Sequence, residues 1–115
     1  MNLGPLLSVG ELSRDGEPRL VVEGELDMAG APKLLAELER LESSRPKGAI
    51  AVDLAGVTFM DVAGMRVLLA AAERARRRGV RFVIYNPRRI AQRVFGLTAV
   101  DQQLEIVFDD DAPVP

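Results

Sequence analysis

Hydrophobic and polar positions change their period along the chain, and each change predicts a boundary between a strand and a helix. Two short β-rich runs cover residues 6–13 and 19–26. The Asp15-Gly16 pair between them is a strong signal for a tight turn. The first quarter of the chain is therefore predicted to be a β-hairpin.

A first helix is predicted after the hairpin. Pro32 suits the first turn of a helix, because its missing N–H costs nothing there. The cluster of breakers at residues 43–48 predicts the end of this helix. Its predicted buried stripe consists of Leu34, Leu35, Leu38 and Leu41. The polar side chains predicted on its outer side are Lys33, Glu37, Glu39, Arg40 and Glu42.

A strand and a longer helix are predicted next. The apolar run at residues 49–54 is typical of a central strand buried on both faces. From Val62 the spacing becomes helical, and Gly79 is placed to end that helix as its C′ residue. The predicted buried face of this second helix consists of Met65, Leu68, Leu69, Ala72 and Ala75.

The last third of the chain continues the alternation. Residues 80–85 and 104–108 predict strands, and residues 109–115 predict a frayed tail. A third helix between the strands is predicted to have Asn86 as its cap, Pro87 as its first residue and Gly96 as its end. Its predicted buried stripe consists of Ile90, Val94 and Phe95.

The resulting order, ββαβαβαβ, predicts an α/β fold with a mixed β-sheet covered by helices. The 115 residues are predicted to form a single domain, with its core at about residues 6–108. No window approaches the roughly 18 apolar residues of a membrane span, and the start has no secretory signal pattern, so we expect a cytoplasmic protein.

Composition excludes several kinds of chemistry. The chain has no His and no Cys, which excludes imidazole bases, thiol nucleophiles and thiolate zinc sites. Asp53 and Asp61 could be imagined as an acid/base or metal pair, but Asp53 lies inside a predicted strand and no third ligand has a suitable spacing. We therefore expect no enzymatic activity, no metal and no cofactor.

The formal net charge of −2 hides two opposed blocks. Residues 66–93 contain nine Arg and one acidic residue, a net charge of +8, and the rest of the chain carries −10. Nucleic-acid binding through this block is one hypothesis. A solvated helical surface is the preferred interpretation, because the block lacks interleaved exposed aromatics and most of its arginines lie near helix C-termini. The arginines that could line one surface are Arg74, Arg77, Arg78 and Arg81.

The turn at residues 59–65 is the candidate site. It follows the central strand, and ligands and partners of open α/β sheets gather at the carboxyl ends of strands. Asp61 is predicted to cap the second helix by accepting an N–H from Ala63 or Gly64. From residue type alone, a purely structural cap on a buried helix is the preferred interpretation.

Three segments resemble the STAS domain family, which occurs in bacterial anti-sigma-factor antagonists and in the cytoplasmic part of sulfate transporters. Residues 24–27, GELD, are similar to the end of the family's second strand. Residues 57–69, VTFMDVAGMRVLL, and residues 86–98, beginning with Asn86-Pro87, are similar to two further family motifs. The resemblance covers residues 6–108 in the family's order. The family's last helix has no evident counterpart, since residues 109–115 are short and contain proline.

The resemblance implies a switch and its loss. In the family, a serine directly after the Asp is phosphorylated by an anti-sigma-factor serine kinase, and the added charge of about −1.5 to −2 breaks the pairing with that kinase. Here Val62 follows Asp61, and Ala63 follows Val62. Neither residue can accept phosphate, so the usual site is lost. Thr58 is the nearest hydroxyl.

The expected function is therefore a protein-interaction module that regulates transcription by partner switching without phosphorylation at the usual site. The expected partner is an anti-sigma-factor serine kinase or a similar regulatory protein. The alternative is a small STAS regulatory subunit of an ABC-type transport ATPase. Oligomeric state is left open, and Val62 could equally pack beneath a neighbouring loop. The predicted partner-binding residues are Asp27, Asp61, Val62, Ala63, Gly64, Met65 and Arg66.

Overall fold

The computed structural model describes residues 6–14, 17–44, 48–98 and 104–109. Strands and helices alternate in these ranges after an opening pair of strands. Their bounds are β1 Leu7–Arg14, β2 Glu17–Leu26, α1 Ala31–Ser44, β3 Ala49–Met60, α2 Val62–Arg77, β4 Arg81–Tyr85, α3 Arg89–Thr98 and β5 Glu105–Val107. None of the helices in these ranges is both long and apolar enough to cross a membrane.

The strands form one mixed sheet in the order β1-β2-β3-β4-β5. β1 is antiparallel to β2, and the register pairs Arg14 with Glu17, although the predicted turn residues 15–16 lie outside the described ranges. β2, β3, β4 and β5 are mutually parallel. Parallel neighbours need crossover connections, and α1, α2 and α3 lie in those connections. The predicted α/β fold with a mixed sheet is confirmed.

The inner face of the sheet is apolar. Leu20, Val52 and Ile84 are register partners, so they point to the same face, and all three are fully buried. Leu34 and Leu38 of α1 belong to the same buried cluster. Each such side chain contributes about 1.5–3 kcal/mol of hydrophobic free energy when it is fully buried, which makes this layer the main source of stability.

The outer face of the sheet carries a polar cluster, named here the outer-face cluster, formed by Arg19, Asp53, Tyr85, Asn86 and Asp109. The Arg19 guanidinium lies 3.6 Å from the centre of the Tyr85 ring and bonds to Asp109 at 2.7 Å and to Asp53 at 3.3 Å. Burial lowers the pKa of Arg19, but its bonds to the two carboxylates outweigh this effect and raise the pKa overall. The prediction that Asp109 belongs to a frayed tail is therefore wrong, while residues 110–115 lie outside the described ranges.

β3 is longer than predicted. It runs to Met60 and not to Leu54, because β2 continues to pair with it as far as the Leu26–Met60 position. β4 pairs with β3 only as far as Asp53. Residues 54–60 of β3 therefore extend past the end of β4, and α3 packs against β3.

The predicted bounds of the third helix are wrong at both ends. α3 begins at Arg89 and continues through Gly96 to Thr98. Asn86 does not cap it: its backbone is left-handed at φ +57°, which Asn tolerates better than most residues. Its amide donates to Asp53 and Asp109, and its Oδ1 accepts the Asp109 N–H at 2.8 Å. These contacts fix the turn that leads from β4 into α3.

Glu42 of α1 is buried, so its predicted place on the outer side is wrong. Its two carboxylate oxygens accept hydrogen bonds from Nε and Nη2 of Arg74 on α2, both at 2.9 Å. This hydrogen bonding raises the pKa of Arg74. The bidentate pair joins two helices that the sequence pattern treats separately.

The buried side of α2 is also shifted from the prediction. Ala71 is buried, whereas Leu69 and Ala72 are half-buried and line a cavity of about 390 Å³ beside β4 and β5. The end of the helix agrees with the prediction, since Gly79 has a left-handed φ of +69° and donates its N–H to Arg76 O. The remaining buried residues of α2 are Gly64, Met65, Leu68 and Ala75.

Candidate partner-binding site

Asp61 caps the start of α2, as predicted. Its backbone is extended, and its Oδ1 accepts the N–H of Ala63 at 2.8 Å and that of Gly64 at 3.2 Å. Such a cap stabilises a helix by about 1 kcal/mol, and the carboxylate also favours the positive end of the helix dipole. The turn after β3 is therefore held in one conformation by its own side chain.

Asp61 also joins α2 to the loop that follows β2. Its Oδ2 accepts the Met28 N–H at 3.3 Å, and its own N–H donates to Leu26 O at 3.3 Å. In that loop the Asp27 Oδ1 accepts the Gly30 N–H at 2.9 Å. Both carboxylates predicted in the site therefore hold backbone amides, which positions the two loops side by side.

Two glycines permit this close packing. A Cβ on Gly64 would lie 2.5 Å from Leu26 O, so no larger residue fits at this point of α2. Gly24 has a φ of +105°, and a Cβ there would lie 2.0 Å from Leu6 O, which accepts the Glu25 N–H. The glycines in the GELD segment and in the segment after Asp61 thus have a steric reason to be glycine.

Three large apolar side chains remain exposed around this cap, and they are named here the apolar patch: Met28, Phe59 and Val62. They are exposed by 75%, 45% and 44% respectively. Met28 is bonded to Asp61 through its N–H, Val62 is the next residue after Asp61, and Phe59 is two residues before it. Val62 does not pack beneath a neighbouring loop. Exposed apolar side chains on segments that meet at one point of the fold are typical of a protein contact surface.

A small cavity lies next to the apolar patch, and it is named here the arginine cavity. It has a volume of about 280 Å³ and is lined by Thr58, Arg88, Arg89 and Ile90. The cavity forms where the start of α3 meets the extension of β3 beyond β4. Thr58 donates its hydroxyl to Gly24 O at 3.4 Å. Sequence reasoning missed this cavity, and its only signal was the Arg88-Arg89 pair after the end of a strand.

The arginines of the basic block fall into two groups. One group makes ion pairs: Arg74 with Glu42, Arg76 and Arg77 both with Glu73, and Arg81 with Glu105. The other group makes no ion pair with any residue in the described ranges. Its members are Arg66, Arg78, Arg88, Arg89 and Arg93. The basic block is therefore not one continuous cationic surface.

Comparison with known proteins identifies the family. The family model described as "Mlab, STAS domain" matches residues 10–107. The chain belongs to the STAS domain family. A search of curated proteins finds no match.

Solved structures agree with this assignment. The STAS domain is similar to an anti-sigma factor antagonist from Mycobacterium paratuberculosis, with 26% identity and a TM-score of 0.75 over 87% of this chain and 84% of that one. An anti-sigma-factor antagonist (STAS) domain protein from Planctomyces limnophilus shares the fold at 14% identity and TM-score 0.71, over 90% and 91% of the two chains. So does the anti-sigma factor antagonist SpoIIAA in its unphosphorylated form, at 17% identity and TM-score 0.60, over 88% and 86%.

The predicted site residues of this STAS domain differ in accessibility. Val62 and Arg66 are exposed, and Asp27, Asp61 and Ala63 are half-buried. Gly64 and Met65 are buried, so they shape the turn and offer no surface to a partner. Binding by this set stays a prediction, which the structure narrows to its exposed members.

The imagined carboxylate pair is not assembled in this STAS domain. Asp61 holds the start of α2, while Asp53 accepts hydrogen bonds from Arg19, Asn86 and the Ala55 N–H. Within the described ranges, no three His, Cys, Asp or Glu side chains converge as a metal site would require. Both carboxylates are used in holding the fold together.

Proposed function

We propose that this STAS domain is a cytoplasmic interaction module of the anti-sigma factor antagonist kind, which binds a regulatory protein through the start of α2 and regulates transcription by partner switching. The observation that carries this proposal is the exposed Val62 beside the rigidly capped Asp61. An exposed apolar side chain on a fixed backbone loses little conformational entropy when a partner covers it. The domain acts by binding and not by catalysis.

Val62 takes the place that a phosphorylatable serine has in the family's motif. Neither Val62 nor Ala63 has a hydroxyl, so no phosphate can be added at either position. The SpoIIAA structure named above is that of the unphosphorylated form, and this chain would have only the unphosphorylated form at this site. Its binding is then controlled by the supply of competing partners and not by phosphorylation at this position.

The partner we propose is an anti-sigma-factor serine kinase or a protein of similar surface. The decisive experiment measures the binding of such a kinase from the source cell, with and without ATP and magnesium. We expect binding under both conditions and no transfer of labelled phosphate. Incorporation of phosphate into the wild-type protein would contradict the proposal.

The matched variants are Val62→Asp and Leu12→Asp. Both place a carboxylate on an exposed apolar position, but Leu12 lies on β1, outside the apolar patch. Asp is also favourable in the first turn of a helix, so Val62→Asp should fold normally. We expect Val62→Asp to weaken kinase binding by about tenfold or more, and Leu12→Asp to leave it unchanged. Equal binding by the two variants would place the contact elsewhere.

A regulatory subunit of an ABC-type transport ATPase is the second candidate. It is favoured by the same missing hydroxyls, because a partner that is not a protein kinase needs no phosphate acceptor at Val62 or Ala63. Co-purification separates the two candidates. Recovery of a transport ATPase whose binding is lost in Val62→Asp would support the second one.

A further inference from the structure

The arginine cavity lies within reach of any protein that covers the apolar patch. Thr58 of the cavity and Val62 of the patch are four residues apart, which is at most about 13 Å along an extended chain. A protein interface of standard size covers about 800 Å² on each partner, which is an area about 30 Å across and therefore wider than this distance. One partner would therefore contact both features.

The cavity is positively charged and uncompensated. Arg88 and Arg89 both line it, and neither makes an ion pair with a described residue. The carboxylates of the predicted site, Asp27 and Asp61, accept backbone N–H groups and do not line the cavity. Elsewhere on the same basic block, Arg74 and Arg81 each have an acidic partner. Within the described ranges, the two arginines of the cavity therefore lack the acidic partner that Arg74 and Arg81 have.

We propose that the binding partner inserts a carboxylate side chain into the arginine cavity while an apolar side chain of the same partner covers Val62 and Phe59. This proposal rests on the proposed function, since it specifies the surface of the partner. Guanidinium groups bind carboxylates through paired charge-assisted hydrogen bonds. The occupant is a protein side chain and not a free anion, because a small anion would leave the adjoining apolar patch uncovered.

The test is a selection of short random peptides displayed on phage against the whole wild-type protein, followed by affinity measurements with synthetic copies of the enriched peptides. We expect the enriched peptides to combine Asp or Glu with large apolar residues. The double variant Arg88→Ala/Arg89→Ala should bind them about tenfold or more weakly and with a flatter dependence on salt. The control is Arg78→Ala, which removes another arginine that makes no ion pair with a described residue, at the other end of α2, and should bind as the wild type does.

The possible results distinguish this inference from the proposed function. Peptides that lose binding in Val62→Asp, but carry no excess of acidic residues or bind the double variant normally, overturn the acidic-partner inference and leave the docking site in place. Peptides whose binding is indifferent to Val62→Asp, or no enrichment at all, overturn both. If Arg78→Ala lost as much peptide affinity as the double variant, the peptides would be responding only to the overall charge of the protein, and the inference would also be overturned.

Discussion

The two ends of α2 are built in different ways. At the C-terminal end, Arg74 and Arg76 are bonded to Glu42 and Glu73, whereas Arg78 at the same end makes no ion pair with a described residue. At the N-terminal end, Asp61 satisfies the backbone, but Val62 is exposed and Arg66 makes no ion pair with a described residue. At the C-terminal end, carboxylates of the chain itself therefore bind most of the arginine side chains. At the N-terminal end the fold satisfies the backbone groups, but the side chains of Val62 and Arg66 are exposed.

The largest expected effect tests the rigidity of the N-terminal end. Gly64→Ala places a Cβ 2.5 Å from Leu26 O, so the start of α2 must move away from β2. We expect a loss of about 2–3 kcal/mol in the free energy of unfolding, measured by urea denaturation. Gly10→Ala is the control, because nothing lies within 4 Å of the added atom. Similar stability of the two variants would show that the close approach imposes no constraint.

A smaller effect compares an arginine from each end. Arg74→Ala leaves the buried Glu42 carboxylate without its two hydrogen bonds, and we expect a loss of about 1–2 kcal/mol. Arg66→Ala removes an exposed side chain with no ion pair to a described residue and should change stability by less than about 0.5 kcal/mol. If urea denaturation showed equal losses of unfolding free energy for the two variants, the proposed difference between the two ends of α2 would be wrong.

The smallest effect concerns the ion pair of Arg81 with Glu105 at the edge of the sheet. The hydrogen bond from Arg81 lowers the pKa of Glu105, so the stabilisation is present above the ordinary glutamate pKa, about 4.3, and disappears as the pH falls through the lowered value. Because the pair is exposed, Glu105→Gln should lower Tm by no more than about 2 °C at pH 7 and by less at pH 3. Glu23→Gln, at an exposed position without an ion pair to a described residue, is the control and should lower Tm by less than Glu105→Gln at pH 7. A larger fall at pH 3 than at pH 7 would contradict the assignment.

The features predicted correctly from sequence are those whose causes lie within a few residues. Asp61 caps α2 through Ala63 and Gly64, and Gly79 ends the helix within one turn. The alternation of strands and helices was equally local, and with it the α/β class. These signals depend on spacing along the chain and survive any tertiary arrangement.

The features predicted wrongly are those whose causes lie far away along the chain. The buried Glu42 is bonded to Arg74, which is 32 residues away. Asn86 does not cap α3 and instead bonds to Asp109, which is 23 residues away. β3 was predicted too short because Ala55 and Gly56 are weak strand formers, and pairing with β2 overrides that preference. The arginine cavity was invisible for the same reason, since Thr58 and Arg88 meet only after α3 has packed against β3.

At the start of α2 one residue, Asp61, caps the helix and the next, Val62, is exposed, and this separation has an evolutionary consequence. The side chain that caps the helix there is that of Asp61, and the side chain of the next residue has no role in the cap. Mutation at position 62 can therefore exchange valine for a hydroxyl residue, or the reverse, without threatening the ability of the descendant protein to fold. A descendant protein could therefore change the chemistry of its exposed helix start through one codon, while the capped backbone is kept.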